Sequence, residues 1–161
     1  GGAYLRIIGI DPGYAIVGFG VLDYDGYKFR PVEYGAVTTE AGMNLPQRLK
    51  CIYEDINFIL DRFRPDFMAI ETLFFTTNQK TAINVAQARG IVVLAAALRN
   101  MPVFEYTPLQ VKQAVVGYGK AQKNQVMDMT RRILGLAEIP KPDDAADALA
   151  IAICGGHCSV V

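Results

Sequence analysis

Four carboxylates lie at the ends of predicted buried elements. Asp11 follows the apolar run 7–10, whose composition is typical of a strand buried on both faces. Glu71 follows a second, shorter apolar run, while Asp144 and Asp147 lie three positions apart at the start of a predicted helix and share one face of it. If the four met, their charges would repel and their pKa values would rise unless a cation compensated them. They therefore form a candidate cation site.

Carboxylate oxygens with little His or Cys suit Mg²⁺ or Mn²⁺. Such a cluster can hold two cations about 4 Å apart, which activate a water and stabilise a leaving oxygen in phosphodiester cleavage. Spacing alone does not show that the acids meet, and each has a structural alternative. The Asp-Pro-Gly that begins at position 11 is a common turn, and helix N-termini tolerate carboxylates such as Asp144.

The composition is that of a folded globular chain, with 161 residues of which 52% are hydrophobic and 20% charged. This length predicts a single domain over 1–161, whose first two glycines we interpret as a remnant of tag removal. We recognise no secretory signal. The most apolar stretch, 82–98, is interrupted by Gln87 and Arg89, so we expect no membrane partner. Three cysteines, an odd number, favour reduced thiols and a cytoplasmic location.

Two further motifs have chemical interpretations that we do not favour. Cys154, His157 and Cys158 offer three possible metal ligands, whereas a structural zinc site needs four with a better spacing. The loop 117–120 ends in Gly-Lys, but Ala121 follows where a phosphate-binding loop needs Ser or Thr, and the leading glycine is missing.

The net charge is zero, but the charges are unevenly distributed. Between positions 76 and 127 the only acid is Glu105, against the basic residues Lys80, Arg89, Arg99, Lys112, Lys120 and Lys123. A neutral total can hide a basic face beside an acidic pocket, as nucleic-acid enzymes require, although ordinary solvated surface explains lysines equally well.

Hydrophobic periodicity and turn signals predict an α/β chain with a mixed sheet covered by helices. After the first strand at 7–10 we expect strands at 16–24, 28–38, 67–70 and 103–106, and helices at 45–63, 79–99, 108–116, 123–134 and 143–154, the last capped by Asp143. Gly18 and Gly20 leave room beside Asp11 either for a bulky group such as a phosphate or, as we favour, for close packing.

Two segments leave alternatives open. The helix at 79–99 is apolar on more than one side: Val92 and Ala96 lie on other faces than Ile83, which indicates either deep burial or contact with a second copy. In the loop after Glu71, Phe74 and Phe75 could cap the core or stack on a base, and capping is the better interpretation from the loop alone.

The chain resembles the RuvC Holliday junction resolvases, which have the ribonuclease H-like fold with a five-stranded mixed sheet flanked by helices. The resemblance runs from position 7 to position 153. It is carried by the segments Gly9-Ile10-Asp11-Pro12-Gly13, Ala69-Ile70-Glu71, Gln87-Ala88-Arg89-Gly90, Val111-Lys112-Gln113 and Asp144-Ala145-Ala146-Asp147-Ala148-Leu149-Ala150.

The resemblance implies a Mg²⁺-dependent endonuclease, with Mn²⁺ as a substitute and two cations per site, that resolves four-way DNA junctions by paired symmetric nicks in recombination and repair. It assigns metal binding and catalysis to Asp11, Glu71, Asp144 and Asp147. It assigns DNA contacts to Phe74 at the crossover and to Lys112 and Lys123. It also implies a homodimer formed through helix 79–99 and a branch-migration helicase as partner.

Other classes fit less well. Asp-Pro-Gly followed by two glycines is also found in sugar kinases and actin-like ATPases, but those proteins need two lobes to hold a nucleotide. A non-catalytic junction-binding protein would be expected to lose acids, whereas this chain has all four. A nuclease of related fold that processes structured RNA is the nearest alternative, since its chemistry and metal would be the same.

Overall fold

The computed structural model of the protein describes residues 3–13, 15–72 and 79–159. Within these ranges one sheet contains the strands β1 (Leu5–Pro12), β2 (Ile16–Tyr24), β3 (Phe29–Thr38), β4 (Phe67–Glu71) and β5 (Val103–Tyr106). It is accompanied by the helices α1 (Leu45–Phe63), α2 (Gln79–Leu98), α3 (Pro108–Val116), α4 (Lys123–Ile133) and α5 (Asp143–Cys158). Most of these bounds lie within two residues of the predicted ones.

The strands are ordered β3-β2-β1-β4-β5. β1 lies in the centre, antiparallel to β2 on one side and parallel to β4 on the other, and β5 continues the parallel half. The predicted mixed five-stranded sheet is therefore confirmed. Because both neighbours of β1 are paired strands and both faces carry helices, its apolar run has no exposed face, as the sequence predicts.

Side chains alternate across β1 and divide the core into two layers. Ile7 belongs to the cluster formed with α3, α4 and α5, whereas Ile8 and Ile10 belong to the cluster formed with α1 and α2. Asp11 is separated from Ile7 and Gly9 by an even number of positions along the strand, so its side chain lies on the same α5 face of the sheet. A strand that is buried on both faces thus delivers its terminal carboxylate to one particular layer.

The parallel register of β4 brings a second carboxylate to the same place. Ile10 pairs with Ile70, so Asp11 and Glu71 come next on adjacent strands. Ala69, two positions before Glu71, belongs to the α5 layer. Both acids therefore end neighbouring strands on the same face of the sheet.

Helix α5 lies unusually close to β1 and β2 because glycines face it. A Cβ at Gly9 would collide with the helix backbone, one at Gly18 would collide with the carbonyl of Asp144, and one at Gly20 would lie 2.6 Å from Leu149 Cδ2. Close packing is therefore the role of these glycines, in agreement with the interpretation favoured above.

The C-terminal helix is longer than predicted, ending at Cys158 instead of position 154. Gly155 and Gly156 do not interrupt it, because the absence of their side chains lets the last turns approach the sheet. A Cβ at Gly155 would lie 3.0 Å from Ala69 Cβ, and one at Gly156 would lie 2.6 Å from Phe29 Cζ. Tertiary packing here outweighs the low helix propensity of glycine.

The predicted cap of α5 is wrong. Pro142 occupies the N-cap position, without a side-chain cap, and Asp143 is the first helical residue. Asp143 and Asp144 both lie in the first turn, where carboxylates interact favourably with the helix dipole.

Helix α2 is buried on one side only. Val92 and Ala96 are fully buried against the sheet, whereas Ile83, Leu94 and Leu98 are between 46% and 60% exposed. Val92 and Ala96, which the sequence places on other faces than Ile83, therefore belong to the core. The exposed apolar side chains form a separate stripe along the helix.

By length and composition alone, the stretch Lys80–Leu98 of α2 could cross a membrane, and 28% of it is buried within the protein. A single helix of this kind is a weak indication, because the core helices of globular proteins meet the same criterion. The packing of Val92 on the sheet shows that one side of α2 is part of the core.

The sequence did not reveal that Arg48 on α1 is only 3% exposed. Its guanidinium donates to Thr39 Oγ1 at 2.6 Å and to the Glu40 carbonyl oxygen at 3.1 Å. A buried cation with several acceptors is tolerated because its hydrogen bonds replace water. Arg48 ties the end of β3 to the start of α1.

We expect Gly9→Ala to destabilise the protein, because the new methyl group would push α5 off the sheet. Overpacking of this kind costs roughly 1–3 kcal/mol, which lowers Tm by roughly 2–12 °C in a chain of this size. Thermal denaturation followed by circular dichroism measures the change. Gly42→Ala is the matched control, since nothing lies within 4 Å of a Cβ there. An unchanged Tm for Gly9→Ala would contradict the close approach.

Candidate active site

A single cleft collects most of the predicted site residues. Asp11 from β1, Glu71 from β4 and Asp147 from α5 line a cavity of about 290 Å³, together with Lys112 and Lys123. Acids far apart in sequence meet because the α5 face of the sheet receives the ends of both strands. The remaining wall is mainly apolar and comes from α3, α4 and α5, through Pro108, Val111, Val126, Met127 and Ala150.

Asp11 is the most strongly perturbed acid of the cleft. Burial in the fold, followed by the charges of Asp147, Asp144 and Glu71, raises its pKa from 3.8 to about 8. A hydrogen bond shared with Asp147 acts in the same direction on Asp11 and in the opposite direction on Asp147. The hydrogen bond therefore favours the protonated form of Asp11 and the ionised form of Asp147.

A lysine partly offsets the raised pKa of each of the two other cleft acids. Burial and the charge of Asp147 raise the pKa of Glu71, whereas Lys112 lowers it. Burial likewise raises the pKa of Asp147, and Lys123 opposes this from 3.6 Å, measured between Nζ and Oδ2. Each lysine thus belongs electrostatically to the acidic cluster.

Asp144 is placed differently from the other three acids. It lies one turn before Asp147 and acts on the pKa values of Asp11 and Asp147. It does not line the cleft, although it is close enough to contribute to the negative potential there. The structure thus brings three acids to the cleft and places Asp144 beside it.

The cluster suits a divalent cation by its chemistry, although its side chains are not arranged as a finished site. In the described ranges no three His, Cys, Asp or Glu side chains stand ready to coordinate one metal ion. The available donors are all carboxylate oxygens, the type that Mg²⁺ and Mn²⁺ prefer. A cation would also relieve the repulsion that raises the pKa of Asp11. The donor set therefore fits the implied metal.

The predicted basic face is divided between structural and cleft residues. Arg89 pairs with Glu105 at 2.7 Å and Arg99 pairs with Asp61 at 2.9 Å, so both guanidinium groups tie elements of the fold together. The cleft receives Lys112 from the middle of α3 and Lys123 from the first turn of α4. The amino-acid sequence shows how many cations there are, but not which of them are paired within the fold and which line the cleft.

Two further features are singled out in the sequence: the aromatic pair after Glu71, and His157, which lies between two cysteines near the C-terminus. Phe74 and Phe75 lie outside the described residues, so the crossover contact of Phe74 stays a prediction. In the last turn of α5, His157 Nδ1 lies 2.9 Å from the Ala114 carbonyl oxygen and therefore joins α5 to α3.

Comparison with known proteins identifies the family. The family model described as "Crossover junction endodeoxyribonuclease RuvC" matches residues 7–155. The chain belongs to the RuvC family. A relative with this description from Brevibacillus brevis is 58% identical over 149 residues, covering 92% of this chain and 90% of the relative. Another, from Clostridioides difficile, is 56% identical over 151 residues, covering 94% and 89%.

Solved structures agree with this assignment and with the ribonuclease H-like fold class. Thermus thermophilus RuvC in complex with a Holliday junction substrate is similar to this chain with a TM-score of 0.89 and 40% identity, covering 93% of this chain and 92% of the other. The yeast mitochondrial Holliday junction resolvase matches with a TM-score of 0.69 at 13% identity, over 94% of this chain and 78% of the other. The second likeness concerns the fold alone.

We expect Asp11→Asn to stabilise the protein in EDTA at neutral and alkaline pH. The folded state binds the Asp11 proton more tightly than the unfolded chain, so the associated stability is fully present below about pH 4 and is lost as the pH rises to about 8. Asn has no proton to lose. The difference in Tm between variant and parent should therefore widen over this interval, reaching on the order of 10 °C.

Thermal melts at pH 4 and pH 8 measure this difference. Glu138→Gln, which changes an exposed carboxylate, serves as the control and should leave Tm unchanged at both values. A decrease in Tm for Asp11→Asn at pH 8 would show that Asp11 has a structural role instead.

Proposed function

We propose that this chain is a divalent-metal-dependent endonuclease that resolves four-way DNA junctions by paired nicks in recombination and repair. The observation that carries the proposal is the meeting of Asp11, Glu71 and Asp147 in one cleft with Lys112 and Lys123. Membership of the RuvC family supports the reaction. The junction complex of the Thermus thermophilus relative supports the substrate.

In this proposal Asp11, Glu71, Asp144 and Asp147 hold Mg²⁺, or Mn²⁺ in its place, with two cations in each site. When bound, the cations would supply an activated water and stabilise the leaving oxygen. The chain's own contribution is the geometry. Two strand ends and one helix face fix the carboxylates beside an apolar wall that includes Val111 and Met127.

The two lysines have a positioning role in the proposal. Lys112 and Lys123 line the same cleft as the acids, and Lys123 lies 3.6 Å from Asp147, so a phosphate that enters the cleft meets two cations beside the carboxylates. Contacts to phosphate orient a nucleic acid without reading its sequence. This suits a substrate that is recognised by its branched shape.

We also propose that the protein acts as a homodimer through α2. The stripe of Ile83, Leu94 and Leu98 stays between 46% and 60% exposed within the described part of the chain, and a Cβ added at Gly90 would meet nothing within 4 Å. A two-fold dimer would present two equivalent clefts to the two equivalent strands of a junction. A branch-migration helicase and a cytoplasmic location complete the proposal by family resemblance.

The direct test is cleavage of a synthetic four-way junction, compared with a matched linear duplex and a structured RNA, with and without Mg²⁺. We expect symmetric nicks in the junction only, and only with the metal. Preferred cutting of the RNA would favour the alternative of an RNA-processing nuclease instead.

Neutralising any one acid should abolish cutting but preserve binding. Asp11→Asn, Glu71→Gln, Asp144→Asn and Asp147→Asn should each slow cleavage by at least about 100-fold, the upper range for losing a group that merely supports a metal ligand. Each should bind the junction in EDTA at least as tightly as the parent, since negative charge is removed. Single-turnover cleavage and gel-shift titration measure the two effects. Asp55→Asn, an exposed acid on α1, is the control. Near-normal cutting by Asp11→Asn at saturating junction would refute the mechanism.

Lys112→Ala and Lys123→Ala should weaken junction binding and make it less dependent on salt. Each lost phosphate contact should reduce the slope of log affinity against log salt by roughly one. Binding titrations between low and physiological salt measure the slope. Lys50→Ala, an exposed lysine of α1, should leave it unchanged. An unaltered slope in both cleft variants would make Lys112 and Lys123 ordinary surface residues.

Leu94→Glu should convert the dimer to a monomer, because the exposed stripe would carry a charge into the interface. Val92→Glu is not a suitable test, because a charge at this fully buried position would unfold the monomer itself. Multi-angle light scattering at micromolar concentration measures the mass, with Tyr27→Glu at the tip of the β2–β3 hairpin as control. A parent protein that is already monomeric would contradict the dimer.

A further inference from the structure

The loop between α3 and α4 holds an aromatic side chain outward. Tyr118 is 53% exposed, although the loop on both sides of it is fixed. Gly117, with a φ of 83°, caps α3 by donating to the Gln113 carbonyl oxygen at 2.8 Å. Ala121 is 2% exposed, and its N–H donates to the Tyr118 carbonyl oxygen at 3.2 Å. The exposure of Tyr118 is therefore set by an anchored turn.

This loop folds back along α3 toward the rim of the cleft. A Cβ added at Gly119 would lie 2.5 Å from Leu109 Cδ1 and 3.4 Å from Gln113 Cγ. Leu109 belongs to the first turn of α3 and follows Pro108, which lines the cleft. The backbone next to Tyr118 thus reaches the end of α3 that borders the candidate active site.

The surroundings of the loop are basic. Lys120 is exposed, and the helices on either side of the loop supply Lys112 and Lys123 to the cleft. Among the ion pairs of the described residues, Lys120 and Lys112 take part in none. An exposed aromatic ring among cations is the combination that binds single-stranded nucleic acid, in which the ring stacks on a base while the cations hold phosphates.

Another exposed tyrosine provides a contrast. Tyr27 at the tip of the β2–β3 hairpin is 96% exposed, but it lies at the opposite end of the sheet from Asp11. It lines a surface depression together with two acids, Asp23 and Asp25, and two basic residues, Lys28 and Arg30. Exposure alone therefore does not distinguish Tyr118, whereas its position near the cleft does.

We propose that Tyr118 stacks on an unpaired base of the junction strand where that strand leaves the cleft on the side of the α3–α4 loop. This inference rests on the proposed function and adds a substrate-positioning contact to it. The stacking would hold the nucleotide beside the scissile phosphate, while Lys112 and Lys123 hold the phosphate itself. Any base can stack on the ring, so the contact favours an unstacked strand over a particular sequence.

The first test compares the affinity of Tyr118 variants for a synthetic four-way junction in EDTA. Tyr118→Ala should bind about 10-fold more weakly, within the range that loss of one base stack produces, whereas Tyr118→Phe should retain the parent affinity. Tyr27→Ala is the matched control and should bind normally. Tm should be unchanged in all three, which separates a substrate contact from a structural role.

The second test uses the absence of tryptophan from the chain. Tyr118→Trp introduces a single tryptophan, which can be excited selectively over the remaining tyrosines, and stacking on a base should quench its emission when the junction is added. Tyr27→Trp should show no quenching under the same conditions. Unchanged emission of Tyr118→Trp at saturating junction, or normal affinity of Tyr118→Ala, would overturn the proposal.

Cleavage by the unaltered chain in Mg²⁺ separates this inference from the proposed function. Junction cutting combined with normal binding by Tyr118→Ala would overturn the stacking contact alone. Strong quenching of Tyr118→Trp without any cutting by the parent would support the contact and overturn the nuclease function.

Discussion

The close approach of α5 to the sheet is the contact on which the candidate site depends. Gly9 and Gly18 remove the side chains that would hold the helix away, and the helix answers with small residues such as Ala148. Packing density at this contact therefore sets the distance between the carboxylates of α5 and those of β1 and β4. A shift of the helix by the width of a methyl group would change the distances between these carboxylates. The electrostatics of the cleft would then change although none of its side chains had been replaced.

The same contact makes the site costly to fold. Burial and mutual repulsion raise the pKa of Asp11, and the raised values of Glu71 and Asp147 show that the strain is shared. Lys112 and Lys123 offset part of it. Such a loss of folding stability is typical of a site that binds a charged ligand, because the ligand supplies the charge that compensates the clustered carboxylates. The cluster is easier to explain as a binding site than as a structural feature.

Much of the fold could be predicted from the sequence because its local signals agree with one another. Apolar runs, turn signals and hydrophobic periodicity predicted the elements, and the acids that follow buried runs predicted the candidate site. The errors occurred where tertiary contacts override local preference. Gly155 and Gly156 continue a helix that glycine ordinarily ends, and Arg48 is buried at a position that helical periodicity assigns to the core but whose type suggests the surface. Which apolar face of α2 is covered, and which cations are already paired, depends on long-range geometry that periodicity does not contain.

The alternation along β1 has a consequence for how this protein can evolve. Asp11 reaches the cleft because an even number of positions separates it from Ile7, which packs under α5. Inserting or deleting one residue between them would turn the carboxylate into the opposite layer, against α1 and α2, even with all four candidate acids still present. The strand can therefore accept substitutions that conserve size, but its length is fixed by parity. Loops such as the β2–β3 hairpin, at the opposite end of the sheet from Asp11, are not subject to this constraint and can lengthen without moving the carboxylates of the cleft.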